Sequence, residues 1–585
     1  MVSRSKVCAG VMLALHVAGG LSCSPERTER SRPNVLLISL DSTRRDLLSC
    51  YGRRPVHAPE RPTSPNLDRL AREGVLMRDA YANSSWTLVS HLSLLTGLTP
   101  LAHGVDDVYQ SYAGPAPLLA EVLQGAGYRT AGFYSGPLLE PHHGFGRGFE
   151  RYEACYGAEL AASAQRELEL RQWRDATEDP TAFESASAAH RQARVTMMNL
   201  SHADVSSRAV TDAVLNELDD SEDDERPFFV FAHYFDPHFD YVPPAKYDVF
   251  DEDYSGAIDG RNFLFNPAIA GPKKGVQSRE RIASNRDMEH IQALYEGELA
   301  WTDAELGRVL DKLEALGRLD ETLIVVVSDH GDEFFEHGSI GHRRTLYEEV
   351  VQVPWIMRLP ERLPSGVEVA GLVSLVDVPA TILELVGLEP PAEGQGRSVL
   401  PEVRGEAVAD GRERSVQYRV VQSHPVKLQI DGYGEASGTQ FFVTDAFRRG
   451  SIKIYRTTRW ARPDSSDHEL PQAELDASAA AQRLHESLIW VDLDQDQGEG
   501  LGSFSVDFTA AEVRSVLDAF RAAYAEIEPQ RIAGVVSEGR QRFTAMLRGL
   551  GYVEGDETEQ ATDGRTQEDF MLPLPGHRLV DEETR

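Results

Sequence analysis

Six side chains that can hold a divalent cation or move a proton stand at or just past the ends of apolar runs: Asp41, Asp236, His238, Asp329, His330 and His342. Carboxylates and imidazoles are hard or borderline ligands, suited to Ca²⁺, Mn²⁺ or Zn²⁺. Any one of them alone would be an ordinary start to a turn. Several together, with Asp329 and His330 adjacent on one short loop, point to a site. His342 lies in Gly341-His342-Arg343, twelve residues past His330, within reach of the same place if the loop folds back. Six such groups suffice for one metal with substrate contacts, or for two metals.

Thr87 lies in Ser84-Ser-Trp-Thr-Leu-Val-Ser-His-Leu-Ser-Leu-Leu-Thr-Gly97. A helix starting near Val89 puts Thr87 and Ser90 at its N-terminus. There the unpaired N–H groups and the helix dipole favour an anion. The alternative is that Thr87 is an N-cap, worth about 1 kcal/mol. His91, one turn on, divides between a substrate contact and a supporting role. Arg343, Arg344 and Arg44 are candidate partners for a substrate anion, against simple solvent exposure. His103, His142, His143 and His337 are expected as turn or supporting residues.

Strands must present these groups. Asn34 to Leu40 is an apolar run ending at Asp41, Pro227 to Tyr234 ends just before Asp236, and Leu323 to Val327 ends before Asp329-His330. Continuous apolar runs suit interior strands of a mainly parallel sheet. Helical patterns fall between them at Pro65 to Glu73, Pro117 to Gln124 and Glu296 to Leu316, the last stopping at Gly317. Alternating strands and helices predict an α/β layered fold, and ligands of such sheets gather at the carboxyl ends of the strands.

The chain has 585 residues, 41% of them hydrophobic, with a formal net charge of −34. It can bury a large core, and its charge argues against nucleic acid as a partner. A bound metal can still reverse the local sign for an anionic substrate. Four cysteines exclude a disulfide scaffold. Cys50 and Cys155 could pair or stay free. Arg4 and Lys6 precede an apolar run from Val7 to Leu21, shorter than the roughly 20 residues of a comfortable membrane span. We read residues 1–23 as a signal peptide, with Cys23 as the lipidated residue of a lipoprotein-type cleavage site. Residues 24–32 would be a linker, 33–395 the catalytic domain, 396–553 a smaller α+β subdomain with short strands near Phe441 to Val443 and Ile452 to Tyr455 and a helix from Glu512 to Ile527, and 554–585 a disordered acidic tail. Ala158 to Met198 reads as a polar helical stretch, and no repeat of fixed period is present. The expected location is the envelope or periplasm of a bacterium, with membrane contact only through Cys23.

Arg32-Pro-Asn-Val-Leu-Leu-Ile-Ser-Leu-Asp-Ser-Thr-Arg-Arg-Asp-Leu-Leu-Ser-Cys-Tyr-Gly52 resembles the opening of the sulfatase family, in the alkaline phosphatase superfamily. His233-Tyr-Phe-Asp-Pro-His238, Ser328-Asp-His-Gly-Asp-Glu-Phe-Phe-Glu-His-Gly338 and Gly341-His-Arg-Arg-Thr-Leu-Tyr-Glu-Glu349 are similar to later family motifs. So are Ser374 to Leu385, Gln395 to Leu400 and Leu547 to Val553. The resemblance is good from about 33 to 400 and loose beyond. It implies a mostly parallel α/β sheet and a metal-held nucleophile attacking sulfur or phosphorus. By match, Asp41, Asp329 and His330 would be metal ligands, with Thr87 at the nucleophile position. His238 and His342 would contact a second metal, the substrate anion or the leaving group.

One departure shapes the expected chemistry. Sulfatases carry Cys or Ser at the nucleophile, then Pro and Arg two and four residues on, and oxidise the first to formylglycine. Here those places hold Thr87, Val89 and His91. Threonine lacks the unsubstituted CH₂ that yields an aldehyde, so formylglycine is excluded. The pattern is similar to the nucleotide pyrophosphatase/phosphodiesterase branch, where Thr attacks phosphorus beside two zinc ions. Ser42, where many sulfatases place a second Asp, leaves metal number open. The expectation is a hydrolase of anionic esters, phosphate ahead of sulfate. The alternatives are transfer of a phosphoethanolamine or phosphoglycerol group to envelope glycans or lipids, or a non-catalytic binding protein of the same fold.

Overall fold

The computed structural model describes residues 32–106, 110–155, 206–406, 414–463 and 482–495, with short gaps at 223, 262, 264–265, 275–277 and 431–433. It also describes isolated residues between 162 and 189 and, within 499–536, chiefly one helix. The expected signal peptide, Cys23, the acidic tail and most of Ala158 to Met198 lie outside the described residues.

Eight strands make the central sheet: β1 (Asn34–Leu40), β2 (Val75–Tyr81), β3 (Arg129–Tyr134), β4 (Arg151–Ala154), β5 (Phe228–Tyr234), β6 (Thr322–Ser328), β7 (Gln352–Arg358) and β8 (Val367–Ser374). Their order is β8-β2-β7-β6-β1-β5-β3-β4. β1 pairs in parallel with β5 and β6, with Val35 opposite Phe229 and Leu323. Only β7 is reversed, antiparallel to β2 and β6.

β1, β5 and β6 are apolar throughout because both faces of the sheet are covered. Val35 and Leu37 point into one core with α2 (Thr87–Thr96), α3 (Leu119–Gly125) and α6 (Asp377–Leu385). Leu36, Ile38 and Leu40 point into the other with α1 (Pro65–Glu73), α4 (Ser206–Asp220) and α5 (Asn285–Ala315). Each such side chain contributes about 1.5–3 kcal/mol by leaving water. Helix α5 begins well before the expected Glu296. Ser284 and Asp287 form a capping box there, and the polar run Asn285 to His290 hides the start from an apolar-periodicity reading.

A second, antiparallel sheet follows in the order β9 (Ser415–Ile430), β10 (Gly434–Arg449), β11 (Ile452–Pro463), β12 (Gln482–Asp492). β10 and β11 are much longer than the apolar stretches expected near 441 and 452, because polar residues punctuate them. α7 (Ala511–Ile527) packs Val513, Val516 and Phe520 on Phe447 and Ile454. The sheet's other cluster, with Val416, Tyr418 and Tyr455, includes Tyr81, Leu346 and Val351 of the main body. Val399, Leu400 and Val403 still belong to the main core, past residue 395. Cys50 and Cys155 are both free thiols. Among the described residues no helix is long and apolar enough to cross a membrane.

Candidate active site

The carboxyl ends of β1 and β6 lie side by side, since Leu40 pairs with Ser328. The next residues, Asp41, Asp329 and His330, are therefore neighbours, and all three are fully buried. Ser42 adopts a left-handed conformation (φ 50°). Its N–H reaches Asp329 Oδ1 at 3.1 Å and its hydroxyl donates to Asp41 Oδ1 at 2.9 Å. His330 Nε2 lies 3.7 Å from Asp41 Oδ1 and 3.4 Å from Asp329 Oδ2.

Thr87 is the first residue of α2, with Trp86 as its N-cap. Thr87 is thus not a cap, and its hydroxyl faces the cluster instead. Oγ1 lies 3.4 Å from Asp41 Oδ2 and 3.4 Å from His330 Nε2.

Three histidines here are held in one tautomer. His330 Nδ1 donates to Gly331 O at 3.1 Å, His342 Nδ1 to Asp332 Oδ1 at 2.6 Å, and His238 Nδ1 to Phe239 O at 2.7 Å. Each so presents Nε2, the atom that can ligate a metal or carry a proton. The His342 ring lies 4.3 Å from that of His330 and 5.1 Å from that of His238, centroid to centroid. The loop after β6 does fold back, as His342 requires. Asp332, which Tyr241 also supports with a 2.6 Å hydrogen bond, went unremarked in the sequence. Its only signal there is its place three residues past Asp329. His233 was missed too. A histidine inside a buried strand, it sets Nε2 3.3 Å from Asp41 Oδ2.

The remaining candidates take other positions. His91 Nδ1 donates to Thr87 O at 2.9 Å and Nε2 meets Ser39 Oγ at 2.8 Å, so it braces the Thr87 turn from behind. Ser90 Oγ donates to Asp329 O at 2.7 Å. Asp236 is not in the cluster: its Oδ2 accepts from Ser207 N at 3.1 Å and from the Ser207 hydroxyl. That places the carboxylate at the N-terminus of α4, where a negative charge is favoured. Arg343 sets its guanidinium 4.5 Å from the centroid of the Trp86 ring, and its N–H donates to Ser85 O at 2.8 Å. The loop is thereby tied to the residues just before Thr87. Arg344 lies near enough for its charge to weigh on His342. Arg44 is taken up by Asp46 and Glu336, each within 2.9 Å.

Burial raises the pKa of Asp41, and that of Asp329 well above the carboxylate range. It lowers His330, His342 and His233 to about 3 each. Buried carboxylates short of positive charge beside neutral imidazoles form a donor set suited to a divalent cation. Asp329 Oδ2 is buried and accepts no hydrogen bond. Asp41, Asp329 and His330 offer ligand atoms within 4.8 Å of one another, as do His330, Asp332 and His342. The residues fit a metal.

The sulfatase family profile matches residues 33–388. The chain is 25% identical over 482 residues to an N-acetylglucosamine-6-O-sulfatase of Bacteroides thetaiotaomicron, covering 72% of this chain and 80% of that protein. It is 26% identical over 416 residues to the multifunctional alkaline phosphatase superfamily protein PehA of Trinickia caryophylli, covering 63% and 77%. The fold matches a phosphonate monoester hydrolase of Agrobacterium radiobacter with a TM-score of 0.55 at 19% identity, over 86% of this chain and 96% of that one. With the family profile spanning most of the chain and the family's motifs meeting at one sheet edge, this protein is a member of the sulfatase family and an ester hydrolase.

Proposed function

We propose that this enzyme is an exported hydrolase of anionic esters that uses Thr87 as its nucleophile and prefers phosphorus to sulfur. The observation that carries the reading is the Thr87 hydroxyl, 3.4 Å from both Asp41 Oδ2 and His330 Nε2. The relatives' names span both ester types, from an N-acetylglucosamine-6-O-sulfatase to a phosphonate monoester hydrolase, so the preference for phosphorus rests on Thr87 itself.

A divalent cation (zinc, manganese or calcium) held by Asp41, Asp329 and His330 would neutralise the ester anion and lower the pKa of a nearby hydroxyl. The side chains do the rest. Thr87 gives its proton to Asp41 Oδ2, and its Oγ1 bonds to phosphorus as the ester oxygen departs. The leaving oxygen takes the proton from Nε2 of His238, which enters the step as an imidazolium with Nδ1–H still on Phe239 O and leaves it neutral. A water that returns its proton to His238 then breaks the Oγ1–P bond, and Thr87 recovers its own. His342, steadied by Asp332, and Arg343 and Arg344 hold the anion. A sulfated threonine lacks the easy release open to a formylglycine hemiacetal, which disfavours sulfate.

The test is turnover of aryl phosphate, bis-aryl phosphate, aryl phosphonate and aryl sulfate, with metals restored after chelation. Phosphorus-ester cleavage that disappears in Thr87→Ala supports the reading. Sulfate turnover that survives Thr87→Ala would sink it.

A further inference from the structure

We propose a second divalent-cation site, for zinc or manganese, formed by Glu333, His337 and Glu349 at the base of the loop that carries His342. Their ligand atoms lie within 4.8 Å of one another. It is separate from the site of Asp41, Asp329 and His330, and its existence does not depend on the reaction proposed above.

His337 shows why a cation belongs there. Its Nε2 faces the carbonyl of Glu499 at 3.2 Å, and a carbonyl can only accept. The N–H is thus on Nε2, as in histidines that bind metal through the other nitrogen. Nδ1 then turns its lone pair to Glu349 Oε1, 2.6 Å away, another acceptor. Two lone pairs at that distance need a positive charge between them, which is either a second proton on the imidazole or a metal ion, and Glu333 decides between the two. Glu333 supplies the second, independent observation. It is fully buried, its Oε1 accepts from the Thr345 hydroxyl, and its Oε2 has no hydrogen-bond partner. The buried cations of this region are engaged elsewhere, Arg44 by Asp46 and Glu336, Lys453 by Glu348 and Glu499. Burial and the facing Glu349 raise the Glu333 carboxyl to about 8.

One imidazole with two carboxylates is a donor set for zinc or manganese, and the side chains of His337 and Glu349 are only 3% and 9% exposed, so the protein groups themselves enclose the ion. Glu333 and His337 lie near the start of the loop and Glu349 near its end. A cation there would join the two ends and hold the His342 segment between them. The competing occupant is a single proton shared by His337 and Glu349, which leaves Glu333 unused.

Glu333→Gln separates the two, being isosteric and able to keep the Thr345 contact. The full chain is stripped with chelator, loaded with Zn²⁺, desalted and assayed for metal by mass spectrometry, with circular dichroism to establish folding. Glu333→Gln is expected to carry about one equivalent less than wild type, and Glu349→Gln the same. Asp329→Asn should lose its own equivalent independently. Glu333→Gln and Glu349→Gln proteins that fold and hold as much zinc as wild type would overturn the proposal. If Asp329→Asn loses no zinc while Glu333→Gln does, the site stands and the metal reading of Asp41, Asp329 and His330 fails.

Discussion

Thr87 sits at the first turn of a fully buried helix with its hydroxyl turned to Asp41 and His330, and that orientation defines what each substitution should do. With Thr87 as the proposed nucleophile, Thr87→Ala removes the attacking oxygen, so turnover of aryl phosphate should fall at least about a thousandfold with little change in melting temperature. Thr87→Ser keeps the oxygen and should retain measurable phosphorus-ester cleavage. Asp332 acts at one remove, by holding His342 Nδ1 at 2.6 Å. Asp332→Asn can still accept a hydrogen bond but lacks the charge. We expect about a 10–100-fold loss in metal affinity or kcat, read by metal titration and steady-state kinetics. An unchanged metal affinity together with an unchanged kcat would remove Asp332 from the site.

At the scale of elements, the loop between β6 and β7 does most of the positioning. Its ends touch at Gly331, whose N–H donates to Val350 O at 2.7 Å. A Cβ added to Gly331 would stand 2.3 Å from Glu349 O, so Gly331→Ala must push the two ends apart. The expected cost is about 1–3 kcal/mol in a urea titration, with a larger proportional loss of activity because His330 and His342 both ride on this loop. A second element, the turn Pro141–His143, adds to the acid sensitivity of the fold. Burial lowers the pKa of His143 to about 3, so the native state keeps it neutral. Its contribution is complete above the unfolded value near 6.5. It is lost as pH falls toward 3, at up to about 1.4 kcal/mol per pH unit. His143→Gln should flatten that part of the pH profile of the urea midpoint, and an unaltered slope would exclude His143 as its source.

Much of this was legible in the residues. β1, β5 and β6 announce themselves as continuous apolar runs, because both of their faces are covered. The groups just past two of those strands, Asp41, Asp329 and His330, meet because their strands are adjacent. What a linear reading could not settle was which way a loop side chain turns. Asp236 follows β5 as Asp41 follows β1, yet Ser207 captures it, a partner distant in sequence and supplied only by the packing of α4. Asp332 and His233 stand inside the quoted motifs, yet their roles stayed unassigned for the same reason, since those roles come from contacts with His342 and Asp41.

Over the whole molecule two charge effects dominate. The formal net charge of −34 repels an anionic substrate before it reaches the site. Raising salt from about 20 to about 200 mM should therefore increase kcat/KM for an aryl phosphate, with kcat little affected. A fall would mean that local positive charge outweighs the total. The second effect is internal. Lys453 of the antiparallel sheet is fully buried and holds Glu348 at 2.9 Å and Glu499 at 3.3 Å, joining that sheet to the loop before β7. Lys453→Met leaves both carboxylates without their ammonium and should cost about 3–5 kcal/mol. Adding Glu499→Gln should recover part of it.

The reversed strand β7 has a consequence for how such an enzyme can diversify. A parallel successor to β6 would have to begin at the far edge of the sheet, and the chain would need a crossover to reach it. Because β7 runs the other way, residues 329–351 leave and rejoin the sheet at the same edge. The outer part of the segment can therefore change in length without rerouting the chain, provided that Asp329, His330, Gly331, Asp332 and His342 are kept. A graft of the corresponding segment from a relative of different specificity, trimmed at Ser328 and Gln352 and keeping those residues, is a practical route to transplanting substrate choice.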